Sequence, residues 1–129
     1  MTNEKKINCI IVDDEFLARK LISDYVNKIQ SLNLVGCYDS ALSITNVLQE
    51  NEIHLIFSDI EMDDILGIDF FENLLIPNPP LIIFITAYSE YAVKAFEVNA
   101  VGYLVKPVTF PQFLKAVNKA LFILDSKLK

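Results

Sequence analysis

Three acids in a row, Asp13, Asp14 and Glu15, follow directly on the apolar run "INCIIV" with no basic residue beside them. Two carboxylates about 5 Å apart at an effective dielectric near 20 repel by roughly 3 kcal/mol. Either one stays protonated or a cation sits between them. A single acid would suffice to start a helix, where negative charge suits the N-terminal end of the dipole. Comparable polar residues end later apolar runs: Asp59 after "HLIFS", Thr86 at the end of "LIIFIT", and Lys106 after "VGYLV". Three carboxylates around a point form a hard-oxygen site that suits Mg²⁺, which takes few protein ligands and keeps waters that a phosphate can displace. Lys106 supplies a mobile positive charge and Thr86 a hydroxyl donor, the parts needed to neutralise and orient a phosphoryl group in transfer. Asp59 is the candidate nucleophile.

Taken singly, such residues usually cap, turn or pack; their meaning depends on the elements that bring them together. Apolar, β-rich runs at 7–12, 32–38, 54–58, 81–86 and 101–105 read as strands. Between them lie segments of helical period. Leu17, Leu21, Tyr25 and Ile29 mark a first helix, and Leu42, Ile44, Val47 and Leu48 a second behind the cap Ser40. A third runs from about Leu66 to Leu75, a fourth starts at the cap Ser89, and a fifth, capped by Thr109, carries Phe110, Phe113, Leu114, Val117, Leu121 and Leu124. Five strands alternating with five helices predict an α/β fold, a parallel sheet covered on both faces. Right-handed crossovers give a flavodoxin-like, doubly wound (βα)5 sheet of order 2-1-3-4-5. Ligands then bind beyond the carboxyl ends of the strands, between strands 1 and 3, so Asp13, Asp14, Asp59, Thr86 and Lys106 share one rim.

The 129 residues suit one domain, and a hydrophobic content of 53% excludes a disordered chain. No apolar run reaches the roughly 18–20 residues of a membrane span, and "MTNEKKIN" lacks a signal-peptide core, so a cytoplasmic location is expected. The net charge is −6 and the eleven Lys and Arg are scattered, which argues against direct nucleic-acid binding. Cys9 and Cys37 read as small buried apolar residues, and His54, at the opposite end of the sheet, as a surface residue.

The motifs "VDDE", "DIEM....G", "ITAY" and "YLVKP" resemble the response-regulator receiver domain of bacterial two-component signalling, over essentially the whole chain. The stretch "ITAYSEYAVKAFEVNAVGYLVKPV" is similar to receivers of the LytTR subfamily, whose output domain binds DNA. The resemblance implies Asp59 as phosphoacceptor, and Asp14, Asp13, Asp59 and the Glu61 backbone carbonyl as the Mg²⁺ site. It further implies Thr86 and Lys106 as readers of the phosphoryl group, Tyr103 as an aromatic switch, and a cis Lys106–Pro107 bond. The implied partners are a sensor histidine kinase and, on phosphorylation, a second copy docked through helix 4, strand 5 and helix 5, with Tyr91, Lys94 and Val98 at the contact. The output is then transcription, through a DNA-binding domain outside these residues. One departure is Asp63, followed by Asp64, where the family usually has Pro after the Met; a solvated turn is expected there. A haloacid-dehalogenase-like phosphatase would use similar groups, but its nucleophile belongs in a DxD pair on the first strand. A stand-alone receiver acting as a protein-binding relay is a further alternative. A nucleotide binder lacks its phosphate cradle, since Gly36, Gly67 and Gly102 lie far apart.

Overall fold

The computed structural model describes residues 6–128, the side chains of 127 and 128 aside. Its elements are β1 (Ile7–Val12), α1 (Phe16–Asn27), β2 (Leu32–Tyr38), a 3-10 turn (Leu42–Ile44) leading into α2 (Thr45–Glu50), β3 (Leu55–Ser58), α3 (Gly67–Glu72), β4 (Leu81–Thr86), α4 (Ala92–Glu97), β5 (Ala100–Val105) and α5 (Phe110–Leu128). All neighbouring strands pair parallel, in the order β2-β1-β3-β4-β5.

Side chains alternate across a strand, so each central strand feeds two cores. From β1, Ile7, Cys9 and Ile11 join Ile22 and Val26 of α1 and Phe113 and Val117 of α5. Ile10 and Val12 point the other way, to Leu48 of α2, Phe71 of α3 and Ala95 of α4. Both faces of β1, β3 and β4 are therefore dry, which is why these runs are almost continuously apolar. Across the first core, the Phe57 and Phe113 rings lie 4.9 Å apart. No helix among the described residues is long and apolar enough to cross a membrane.

Several local expectations are corrected. A row of residues spaced by four drifts about 40° per step around a helix of 3.6 residues per turn. Hence α1 buries Ile22 and Val26, while Leu17 stays 77% exposed and Leu21 is exposed too. The cap position of α4 is Tyr91, two residues after the expected Ser89, and the helix starts at Ala92. The preceding segment is drawn over the strand ends, where the Tyr103 hydroxyl donates to the Tyr88 carbonyl. Val98 is buried rather than outward, because it shares the sheet-facing side of this segment with Ala95. The outward apolar residues of α4 are Val93 and Phe96, and Lys94 is exposed beside them. Cys37 is exposed, on a strand whose inward residues are only partly covered at the sheet edge. Thr109 caps α5 as expected, bonding Gln112 reciprocally, whereas Ser40 accepts Ser43 N–H but lies ahead of the cap positions, which are Ala41 for the 3-10 turn and Ile44 for α2.

Candidate functional site

Asp13, Asp59 and Lys106 each sit one rung beyond a strand and are held there by backbone. Asp13 N–H donates to the Tyr38 carbonyl at 3.0 Å, Asp59 N–H to the Val12 carbonyl at 2.9 Å, and Lys106 N–H to the Thr86 carbonyl at 2.8 Å. The turn after β5 is fixed from below. The Lys106–Pro107 peptide is cis, and the Tyr25 hydroxyl of α1 donates to the Val108 carbonyl at 2.8 Å.

Candidate ligand oxygens from Asp13, Asp14 and Asp59 all lie within 4.8 Å of one another. Lys106 Nζ is centred on the acids, 2.9 Å from Asp13 Oδ2, 3.2 Å from Asp59 Oδ2 and 3.2 Å from Glu15 Oε1. Asp59 Oδ1 accepts its neighbour Ile60 N–H at 2.6 Å, and Asp13 Oδ1 accepts Glu15 N–H at 2.9 Å. Burial alone would push the Lys106 ammonium down, but Asp13 and Asp59 outweigh it and hold its pKa above the usual lysine value. Asp14 has no such help: burial, Asp63, Asp13 and Asp59 all push its carboxyl up. An all-oxygen donor set under mutual repulsion is what a small divalent cation relieves, so these residues fit Mg²⁺.

Asp14, Glu15, Asp59, Glu61, Asp63 and Lys106 line a cleft of about 340 Å³. Thr86 lies just behind it, fully buried, its Oγ1 accepting Tyr88 N–H at 3.4 Å. Tyr103 is half-buried, with its hydroxyl on the Tyr88 carbonyl. Glu61 lies in the loop that leaves Asp59, which closes on itself through a Glu61–Leu66 bridge and the Gly67 N–H to the Ile60 carbonyl at 2.6 Å. Gly67 is required by this closure, because a Cβ there would stand 2.7 Å from the Asp59 carbonyl oxygen.

Sequence reasoning missed four contacts. Glu15 is a partner of Lys106, and Arg19 Nη1 donates to the Asp13 carbonyl at 2.6 Å. Tyr91 donates its phenol to Glu61 Oε2 at 3.1 Å, so it faces the cleft as well as opening α4. The pair Asp63–Asp64 is not one solvated turn: Asp64 accepts the Ala41 and Leu42 N–H groups and caps the 3-10 turn from outside. Those backbone bonds overcome burial and lower its pKa. Of the basic residues, Arg19 lies near its partner in the sequence, six residues from Asp13. His54 lies at the far end of the sheet, where its Nδ1 accepts Asn8 N–H at 2.9 Å.

The profile of the family described as the response regulator receiver domain matches residues 9–118. Protein MrkE of Klebsiella pneumoniae is 35% identical over 116 residues, covering 89% of this chain and 43% of that protein. Transcriptional regulatory protein YpdB of Escherichia coli K12 is 38% identical over 99 residues, 76% of this chain and 41% of that protein. Sensory transduction protein LytT of Bacillus anthracis is 32% identical over 115 residues, 88% of this chain and 46% of that protein. The chain thus spans less than half the length of these relatives. The crystal structure of the response regulatory domain of MrkE superposes with a TM-score of 0.86 at 33% identity, covering 93% of this chain and 99% of that one.

Proposed function

The chain belongs to the response regulator receiver domain family, and from that premise we propose that it is a phosphorylation-driven switch which takes a phosphoryl group onto Asp59. As a receiver domain it is a signalling regulator and not a turnover enzyme. The observation that carries the reading is the convergence of Asp13, Asp14 and Asp59 at the strand ends, with the Lys106 ammonium on Asp13 and Asp59.

The reaction is attack of an Asp59 carboxylate oxygen on phosphorus, forming an acyl phosphate as the bond to the donor breaks. The donor is a phosphohistidine of a sensor kinase or a small acyl phosphate. Asp59 Oδ1 is engaged by Ile60 N–H, which leaves Oδ2, on the Lys106 side, as the attacking atom. Asp13, Asp14, Asp59 and the Glu61 carbonyl would hold Mg²⁺, whose chemistry is to neutralise charge on the transferring group. Lys106 then shifts from carboxylate to phosphoryl oxygens, and Thr86 gives up Tyr88 N–H to donate its hydroxyl to the same group. Space left by Thr86 is filled by Tyr103 turning inward from Tyr88, which reshapes α4 and β5. The readout is pairing of two copies through α4, β5 and α5, with Lys94, Val93 and Phe96 outermost and Tyr91 at the edge. The cytoplasmic location, the absence of direct DNA contact by these residues, and transcriptional output through a LytTR-type domain complete the reading. YpdB is named a transcriptional regulatory protein, which supports transcription as the output.

Acetyl phosphate with Mg²⁺ should add the mass of one phosphoryl group to the intact protein, and Asp59→Asn should add none. Labelling that survives in Asp59→Asn would refute the assignment. Turnover of a generic phosphomonoester would favour the phosphatase reading instead.

A further inference from the structure

The Tyr91–Glu61 hydrogen bond joins two parts of the molecule that the backbone leaves separate. Glu61 follows Asp59 by two residues and lines the same cleft. Tyr91 immediately precedes α4, and its carbonyl accepts Ala95 N–H at 2.9 Å, the first bond of that helix. Its phenol reaches back to Glu61 Oε2 at 3.1 Å, and its ring meets Tyr88 edge-on at 6.4 Å. Among the buried residues of α4 itself only Ala95 anchors it to the core, so the helix follows whatever holds its first turn.

We infer that Tyr91 is a positioning residue of the cleft: it ties the loop carrying Asp59 and Glu61 to the first turn of α4, so that occupancy of the cleft is transmitted to α4 without a movement of Thr86. The inference rests on the metal site of the proposed function. Asp13, Asp14 and Asp59 would hold the cation, the Glu61 carbonyl would serve as a further oxygen ligand, and the backbone of that stretch would adjust to it. The carboxylate on the same residue moves with it. A hydrogen bond is directional, so Tyr91 either follows or loses its acceptor, and both change the surroundings of α4. This happens with cation alone, before any phosphoryl group reaches Thr86.

The test is a MgCl₂ titration of the ¹⁵N-labelled chain, followed by amide resonances. In the wild type, residues 13–15 and 59–63 should shift, and residues 92–97 should shift with the same midpoint. Tyr91→Phe should keep the first set and its midpoint, while the α4 shifts fall below about half of their wild-type size. Glu61→Gln keeps an acceptor oxygen and should keep the α4 response; Glu61→Ala should lose it. If the cleft resonances shift and α4 is silent in the wild type, or responds undiminished in Tyr91→Phe, the inference alone falls. If the cleft resonances do not respond to Mg²⁺ at all, the metal reading falls and takes this inference with it.

Discussion

Replacing Asp14 by Asn should make the metal-free protein more stable, and the geometry sets the size of the gain. Ligand oxygens of Asp13, Asp14 and Asp59 lie within 4.8 Å of one another. At that spacing a pair of unit charges repels by about 3.5 kcal/mol at an effective dielectric of about 20, and by about 0.9 kcal/mol in bulk water. Lys106 sits on Asp13 and Asp59, so it offsets part of their charge and leaves Asp14 the less protected member. Asp14 is also only partly buried, and solvent screens it. The net gain should therefore lie near the lower figure for each of its two neighbours, about 1–2 kcal/mol in all. The sign of the pH dependence follows from the raised pKa of Asp14. Ionisation of a group whose folded pKa is raised opposes folding; the penalty is complete above the folded value and absent below the unfolded one. Urea unfolding in EDTA should thus show Asp14→Asn ahead of the wild type at neutral pH, with the gap closing as pH falls through the folded value towards the unfolded one, about 3.9. Saturating Mg²⁺ should reverse the order, because the wild type keeps a ligand that Asn weakens. A variant no more stable than the wild type in EDTA, or a gain that persists undiminished in acid, would show that these carboxylates do not repel in the folded state.

Gly67→Ala should destabilise the protein by about 1–3 kcal/mol, because the new Cβ would press 2.7 Å from the Asp59 carbonyl oxygen, which is backbone and cannot swing away; equilibrium denaturation reads this directly. Asp64→Ala removes the acceptor of the Ala41 and Leu42 N–H groups and should cost about 0.5–2 kcal/mol. Since those bonds lower the Asp64 pKa, the cost should be present above the unfolded carboxylate value and disappear as pH falls through the folded one. With Mg²⁺ and beryllofluoride, sedimentation should show a dimer that Phe96→Lys abolishes; a monomer in both states at high concentration would remove dimerisation as the output of these residues.

The strand order and the rim at the strand ends were legible because both follow from local pattern. Apolar runs such as "INCIIV" and "LIIFIT" announce strands dry on both faces, and the residue after each is placed by the ladder itself, as the extra rungs at Asp13, Asp59 and Lys106 show. Helix faces were less legible. Leu17 and Leu21 match a period of four yet lie outside, because a real turn of 3.6 residues moves the buried stripe to Ile22 and Val26. Least legible were contacts whose partners are far apart in the chain and chemically ordinary. Nothing near Tyr91 signals Glu61, and nothing near Asp64 signals the amides of Ala41 and Leu42. Val98 misled for a related reason: an apolar residue beside α4 can face the sheet or the solvent, and only the position of Ala95 decides.

The distance along the chain between the groups of the cleft bears on when it comes into being. Lys106 meets Asp13 across 93 residues and Asp59 across 47, and Tyr25 meets Val108 across 83. Contacts this remote form late, once the intervening loops are closed. A growing polypeptide that has reached only residue 105 carries every acid of the cleft and not the ammonium that makes them compatible. The assembled cleft, acids and ammonium together, therefore arrives in one step, with β5 docked at the sheet edge and the turn behind it fastened. The same edge strand is the natural place for reversible opening in the finished molecule. Its brief detachment would withdraw Lys106 from Asp13 and Asp59 and leave the acids without their cation, while β1, β3 and β4 keep their pairing.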